Sequence, residues 1–86
     1  MRLLHKIQYA ISAYNKINSV IKMYERIRAL REDKDLNQSE ISKMLNISQS
    51  TYSRYENGNL DVPTEILISL SKYYNVSVDY ILGLKD

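Results

Sequence analysis

The stretch Leu36 to Gly58, LNQSEISKMLNISQSTYSRYENG, carries two short helical patterns separated by a three-residue break. Asn37 followed three residues later by Glu40 is a capping-box start, and the helix it opens has Ile41, Met44 and Leu45 as its inward positions. Asn46 stands where the chain must turn, and Asn accepts a left-handed backbone at modest cost. Ile47 anchors the turn in the core, and Ser48 can cap a second helix that carries Tyr52 and Tyr55 on its inner face and stops at Asn57-Gly58. Gln49, Ser50, Ser53 and Arg54 are left facing outward. Two helices so joined have the layout of a helix-turn-helix, with the small Ser42 where the helices cross closely.

The flanking sequence is helical as well. Residues 1–57 contain neither Gly nor Pro, and Pro63, Gly58 and Gly83 stand beside the breaks, which is the punctuation of an all-helical chain. Pro63 suits the first turn of a helix carrying Ile66, Leu67, Leu70 and Tyr74, and Ser77 can cap a last short helix with Tyr80 and Ile81 that ends near Gly83. Upstream, a helix reads from about Tyr24 to Asp33 with Ile27 and Leu30 inward. Before it, Leu3, Ile7, Ala10, Tyr14, Ile17, Ile21 and Tyr24 alternate spacings of four and three and form one apolar stripe, widened by Leu4, Ile11 and Val20. A helix this apolar requires a partner, either the rest of the domain or a second copy. Asn18 and Ser19 permit either a fresh start or an unbroken helix. Five helices result, or six if the extension is separate, and no internal repeat is visible.

Composition excludes several functions. The 86 residues suit one domain, and the absence of Cys removes disulfides and thiolate metal sites. His5, the single histidine, has no companion ligand, so no metal or cofactor is expected. Neither a paired nucleophile and base nor a phosphate-binding loop is present, which argues against an enzyme and against a small-molecule ligand. No apolar run approaches the ~18–20 residues of a membrane span, and MRLLHK is not followed by the pattern of an export signal, so a cytoplasmic protein is expected. The charge is unevenly placed: residues 1–22 hold four basic residues and no acid, while residues 23–86 hold eight basic and ten acidic residues, a balance of −2.

The stretch LNQSEISKMLNISQSTYSRYENG, together with PTEILISLSKYYNVSVDYILG at 63–83, resembles the phage-repressor-like (Cro/C1 or XRE-type) helix-turn-helix family over roughly residues 24–84. The ordered pattern, the YENG exit and the VSVDYILG ending are far more specific than two helices alone. The resemblance implies a five-helix lambda-repressor-like DNA-binding domain at 23–86, preceded by an added amphipathic helix at 1–22, in a bacterial or phage-derived regulator. It further implies that the third helix of the domain, about 49–57, enters the major groove of double-stranded DNA, commonly as a homodimer on an inverted repeat.

Carried over position by position, the resemblance makes Gln49, Ser50 and Arg54 readers of base edges and Gln38 a phosphate donor. Ser48, Thr51 and Asn57 are further phosphate candidates, and Arg31 with Glu56 is expected to form a partly buried ion pair that holds the recognition helix. The residue types suit those tasks, since Gln pairs with adenine and Arg grips guanine through two hydrogen bonds. Many relatives have Gly where Asn46 stands, and many have Lys or Arg after YENG, where this chain has Asn59, Leu60 and Asp61. With one backbone clamp missing, dimerisation or the basic extension gains importance. Residues 1–22 are open to three origins, namely a native dimerising helix, an upstream in-frame start or a cloning-derived addition. A protein-interaction module of antitoxin or anti-repressor type, using the extension's apolar stripe, is the alternative function.

Overall fold

The computed structural model describes residue 18 and residues 20–86. Within them the backbone forms α1 over 20–33, α2 over Gln38–Leu45, α3 over Gln49–Glu56, α4 over Thr64–Tyr74 and α5 over Val78–Ile81, with no strand among the described residues. The apolar stripe from Leu3 to Ile17, His5 and the junction at Ser19 lie outside the described residues. Helical backbone runs unbroken through Met23 and Tyr24, so residues 20–22 of the extension and the first helix of the domain are one helix.

Every helix contributes to one core. Met23 and Ile27 come from α1, Ile41 and Leu45 from α2, Tyr52 and Tyr55 from α3, Leu67, Leu70 and Tyr74 from α4, and Ile81 from α5. Met23 and Ile27 are one turn apart, and this pair, flanked by the half-buried Tyr24 and Leu30, is the inner face of α1. Ile21 belongs to the apolar stripe in the sequence yet is 48% exposed, because the seam that meets the domain passes through Met23 instead. Met44, an inward position by its spacing, is 39% exposed: the tight α2–α3 packing is filled by Ile41, Ser42 and Leu45, which leaves Met44 at the rim. Each fully buried Ile or Leu contributes about 1.5–3 kcal/mol, so Ile27, Ile41, Leu70 and Ile81 are the main apolar fasteners among four of the helices.

All five helices end in the same way. After each one a residue takes positive φ, namely Asp35, Asn46, Gly58, Asn75 and Gly83. The amide beyond it reaches back to a carbonyl in the last helical turn: Leu36 to Arg31, Ile47 to Ser42, Asn59 to Arg54, Val76 to Ser71 and Leu84 to Asp79, at 2.9–3.1 Å. These bonds satisfy carbonyls that a helix end otherwise leaves without partners. Gly58 is the position where the lack of a side chain matters most, because a Cβ there would meet Cε2 of Tyr24 at 2.8 Å. The starts are equally explicit. Asn37 accepts from the Glu40 amide at 2.8 Å while Glu40 accepts from the Asn37 amide at 3.1 Å, completing the expected capping box. Ser48 and Ser77 cap α3 and α5. Pro63 sits at the N-cap of α4 in extended backbone, one residue ahead of the first-turn position that its chemistry suggests.

Candidate nucleic-acid interface

The inner face of α3 is fixed by Tyr52, Tyr55 and Glu56, all buried. On an eight-residue helix this leaves Ser50 and Arg54, one turn apart, on the opposite side, while Gln49 is the first residue of the helix; all three are exposed, with Ser53 half-buried at the edge. Among the described residues the side chains of Gln49 and Arg54 have no hydrogen-bond or ion-pair partner, so their full donor sets face outward. Ser50 differs: its hydroxyl lies 3.2 Å from that of Ser48. Ser48 also accepts from the Thr51 amide at 3.1 Å and pairs with the Thr51 hydroxyl at 2.8 Å, so three hydroxyls gather at the start of α3.

The second structural feature of the site is the Glu56 carboxylate, which is fully buried. Arg31 donates to it twice, Nε to Oε2 at 2.7 Å and Nη2 to Oε1 at 3.0 Å, and its Nη1 donates to the Leu36 carbonyl at 2.9 Å. The expected pair is therefore present and bidentate, the strong geometry for a guanidinium and a carboxylate. Gln38 Nε2 donates to Glu56 Oε1 at 3.3 Å, which orients the Gln38 amide and leaves its second N–H available for an outside acceptor. Burial alone would raise the Glu56 pKa; the Arg31 hydrogen bonds, aided by the nearby Tyr52 hydroxyl and by Gln38, outweigh it and hold the carboxyl below its ordinary value. Burial and the adjacent carboxylate push the Tyr52 hydroxyl well above its usual range, and burial pushes that of Tyr74 up to about 12. Neither hydroxyl makes a hydrogen bond of standard geometry within the described residues. Both tyrosines are core residues, as their helical spacing predicts.

Sequence reasoning missed two arginines of α1. Arg28 donates through Nε to Glu56 Oε1 at 3.4 Å and through Nη2 to Asn57 Oδ1 at 3.3 Å, while Asn57 Nδ2 donates to Ser53 at 3.4 Å. Arg26 stacks over the Tyr80 ring at 4.2 Å, donates to the carbonyls of Tyr80 and Lys85, and meets Asp86 at 3.5 Å. The usable signal for Arg28 was its position three residues before Arg31, which places both on one side of α1. Among the described residues no group of three His, Cys, Asp or Glu could hold a metal ion, and no helix is long and apolar enough to cross a membrane.

The sequence profile described as helix-turn-helix matches residues 27–81, which spans α1 from Ile27 to the end of α5. This chain belongs to the helix-turn-helix family. Its type is the Cro/C1 or XRE one that the sequence resembles, and the all-helical lambda-repressor-like fold agrees. Among curated proteins it is similar to YobD of Bacillus subtilis, an uncharacterised HTH-type transcriptional regulator, at 39% identity over 62 residues, which cover 72% of this chain and 55% of that one. It is likewise similar to the HTH-type transcriptional regulator ImmR of Bacillus subtilis, 39% identical over 59 residues covering 69% of this chain and 46% of the relative. The antitoxin PezA of Streptococcus pneumoniae is 39% identical over 59 residues, 69% of this chain and 37% of its own length. The chain thus spans about half the length of the first curated relatives it matches. No solved structure matches it significantly. These family relatives bear the names of regulators and an antitoxin, and none of the three bears that of an enzyme class.

Proposed function

We propose that this protein is a sequence-specific double-stranded DNA-binding transcriptional regulator, acting as a repressor, with α3 in the major groove. The observation that carries the proposal is the pairing of a braced inner face on α3 with two strong readers, Gln49 at the start of the helix and Arg54 on its outer face, that are exposed and unengaged by any described residue. Gln49 reads adenine and Arg54 reads guanine, each bidentate contact contributing about 1–3 kcal/mol of discrimination. Ser50 reads with less independence, because Ser48 holds its hydroxyl. Gln38 donates its free N–H to a phosphate and so sets the docking register; Ser48, Thr51 and Asn57 support contacts to the same backbone.

A homodimer on an inverted repeat follows from the weak anchoring of one domain, since residues 23–86 carry a balance of −2. The uncovered Val20 and Ile21, at the start of α1, continue the apolar stripe of the extension and offer the dimer its contact. The same uncovered residues, with the likeness to an antitoxin, favour a second reading in which the extension holds a different protein. The compartment proposed is the bacterial cytoplasm.

Selection of bound sequences from a random duplex pool, then anisotropy titration of wild type and Arg54→Ala on the selected duplex, tests the proposal. Enrichment of a symmetric motif and a relaxed preference at one base position in Arg54→Ala are expected. Unchanged affinity and preference in that variant would remove Arg54 from the base readers. A wild type that shows no salt-dependent duplex binding but co-purifies stoichiometrically with another protein would establish the second reading instead.

A further inference from the structure

One guanidinium at the site is only loosely engaged. The buried Glu56 carboxylate faces two guanidiniums, and Arg31 makes the short bonds to it, at 2.7 and 3.0 Å. Arg28 approaches the same carboxylate only at 3.4 Å, and its side chain is 49% exposed where that of Arg31 is 14%. Arg31 is further paired at 3.9 Å with the exposed Glu32, so Arg28, Arg31, Glu32 and Glu56 balance in charge, and the guanidinium that reaches the surface is that of Arg28. Its remaining bond, to Asn57 Oδ1 at 3.3 Å, holds the guanidinium at the C-terminal end of α3. Asn57 is in turn fixed by Ser53, so Arg28 is oriented before any ligand arrives. Nε faces the protein, and Nη1 has no partner among the described residues. Two neighbours make this placement consequential: the exit segment Asn59, Leu60 and Asp61 carries no cation, and Gln38 bonds the same carboxylate oxygen as Arg28. Gln38, Glu56, Arg28 and Asn57 thus form one continuous line from the start of α2 to the end of α3.

We infer that Arg28 is a phosphate-binding residue, gripping a phosphodiester of the duplex at the edge of the groove that α3 occupies. The inference rests on the DNA-binding reading above. Arginine suits the task because its planar fork meets phosphate oxygens with two parallel hydrogen bonds. An orientation fixed in advance by Asn57 and Glu56 reduces the side-chain entropy lost on contact. Arg28 accordingly supplies from α1 the backbone clamp that the segment after Gly58 lacks.

The test is anisotropy titration of a selected duplex and a scrambled duplex against wild type, Arg28→Ala and Arg28→Lys across a salt series, with thermal melts of all three proteins. Arg28→Ala should weaken both duplexes by the same factor and make the slope of log affinity against log salt shallower by about 0.9, one phosphate contact. Arg28→Lys should recover the slope while binding less tightly than wild type. The melts should coincide within a few degrees, because Arg31 keeps Glu56 paired. Weaker binding by Arg28→Ala at an unchanged slope would make Arg28 a positioning residue acting through Glu56 and Asn57, and would overturn the assignment. Unchanged affinity would overturn it too, with the DNA-binding reading left standing on wild-type binding. A wild type that binds neither duplex would overturn that reading and this assignment together.

Discussion

The α2–α3 turn and the α4–α5 turn are nearly the same object. Leu45-Asn46-Ile47-Ser48 and Tyr74-Asn75-Val76-Ser77 each run from a buried apolar residue through a left-handed Asn and a half-buried β-branched residue to a capping Ser. Asn46 has φ 58 and ψ 43, Asn75 has φ 55 and ψ 46, and the two serines lie within a few degrees of each other, at −71, 152 and −74, 154. Ile47 and Val76 both send their amides five residues back, at 3.0 and 3.1 Å. The helices beyond the two turns differ. The first turn launches eight residues whose outer face is free, while the second launches four residues that are clamped, with Ile81 in the core and Tyr80 beneath Arg26. An identical turn therefore sets only the angle at which the next helix leaves. Display or docking is decided by what α1 offers each helix: a buried brace from Arg31 at the end of α3, and a surface clamp from Arg26 over α5.

Removing the brace is the largest way to break this comparison. Arg31→Ala leaves Glu56 buried with Arg28, Gln38 and the Tyr52 hydroxyl still near it, and one-sided loss of such a pair costs about 3–5 kcal/mol, with the low end expected here because those partners remain. For a domain whose whole stability is of order 5–15 kcal/mol this is a major loss, readable in a urea titration. Acid has a related effect on wild type. The folded-state pKa of Glu56 lies below its ordinary 4.5, so its contribution is complete above that value and is lost as pH falls through the lower, folded pKa. Glu56→Gln should therefore show a shallower loss of stability on the acid side than wild type. Equal acid limbs in the two proteins would mean that the carboxylate is not held as described.

Much of this was legible in the chain, and the parts that were not share a cause. The capping box at Asn37, the turn at Asn46, the inner tyrosines and the outward Gln49, Ser50 and Arg54 depend on neighbours within one or two turns, and such local rules can be read residue by residue. The Arg31–Glu56 pair is a long-range contact, and only family resemblance pointed to it. Met44 reads as inward because periodicity cannot tell the centre of an apolar face from its rim. Arg28 and Arg26 are long, flexible side chains, and their partners lie 28 to 60 residues away in sequence. The second Asn turn escaped because Leu45-Asn46-Ile47-Ser48 and Tyr74-Asn75-Val76-Ser77 share only two identities, Asn and Ser. Their equivalence appears in dihedral angles and not in letters.

The serine caps sharpen the comparison at an intermediate level. Ser48 accepts from the Thr51 amide at 3.1 Å and Ser77 from the Tyr80 amide at 3.0 Å, so Ser48→Ala and Ser77→Ala should each cost about 1 kcal/mol. Their effects on duplex binding should separate. Ser48→Ala also breaks the hydroxyl cluster with Ser50 and Thr51 at the start of the proposed reading helix, and weaker duplex binding by folded protein is expected. Ser77→Ala leaves that cluster intact, and equal weakening in both variants would contradict a reading face confined to α3.

The smallest expected effect tests whether the two turns are equivalent in energy as well as in shape. Both asparagines hold φ near +55, both are exposed, and neither side chain has a hydrogen-bond partner among the described residues. Glycine at either site would relieve the modest cost of a left-handed L-residue while increasing the backbone freedom lost on folding, and these opposing contributions are of similar size. Asn46→Gly and Asn75→Gly should therefore each shift stability by less than about 0.5 kcal/mol, in the same direction and by the same amount. Paired thermal melts give the comparison directly. A gap of about 1 kcal/mol or more between the variants would require one asparagine to act through its side chain. At position 46 that would mean the turn itself takes part in holding α3 at its angle, and the identity of the two turns would then end at their dihedral angles.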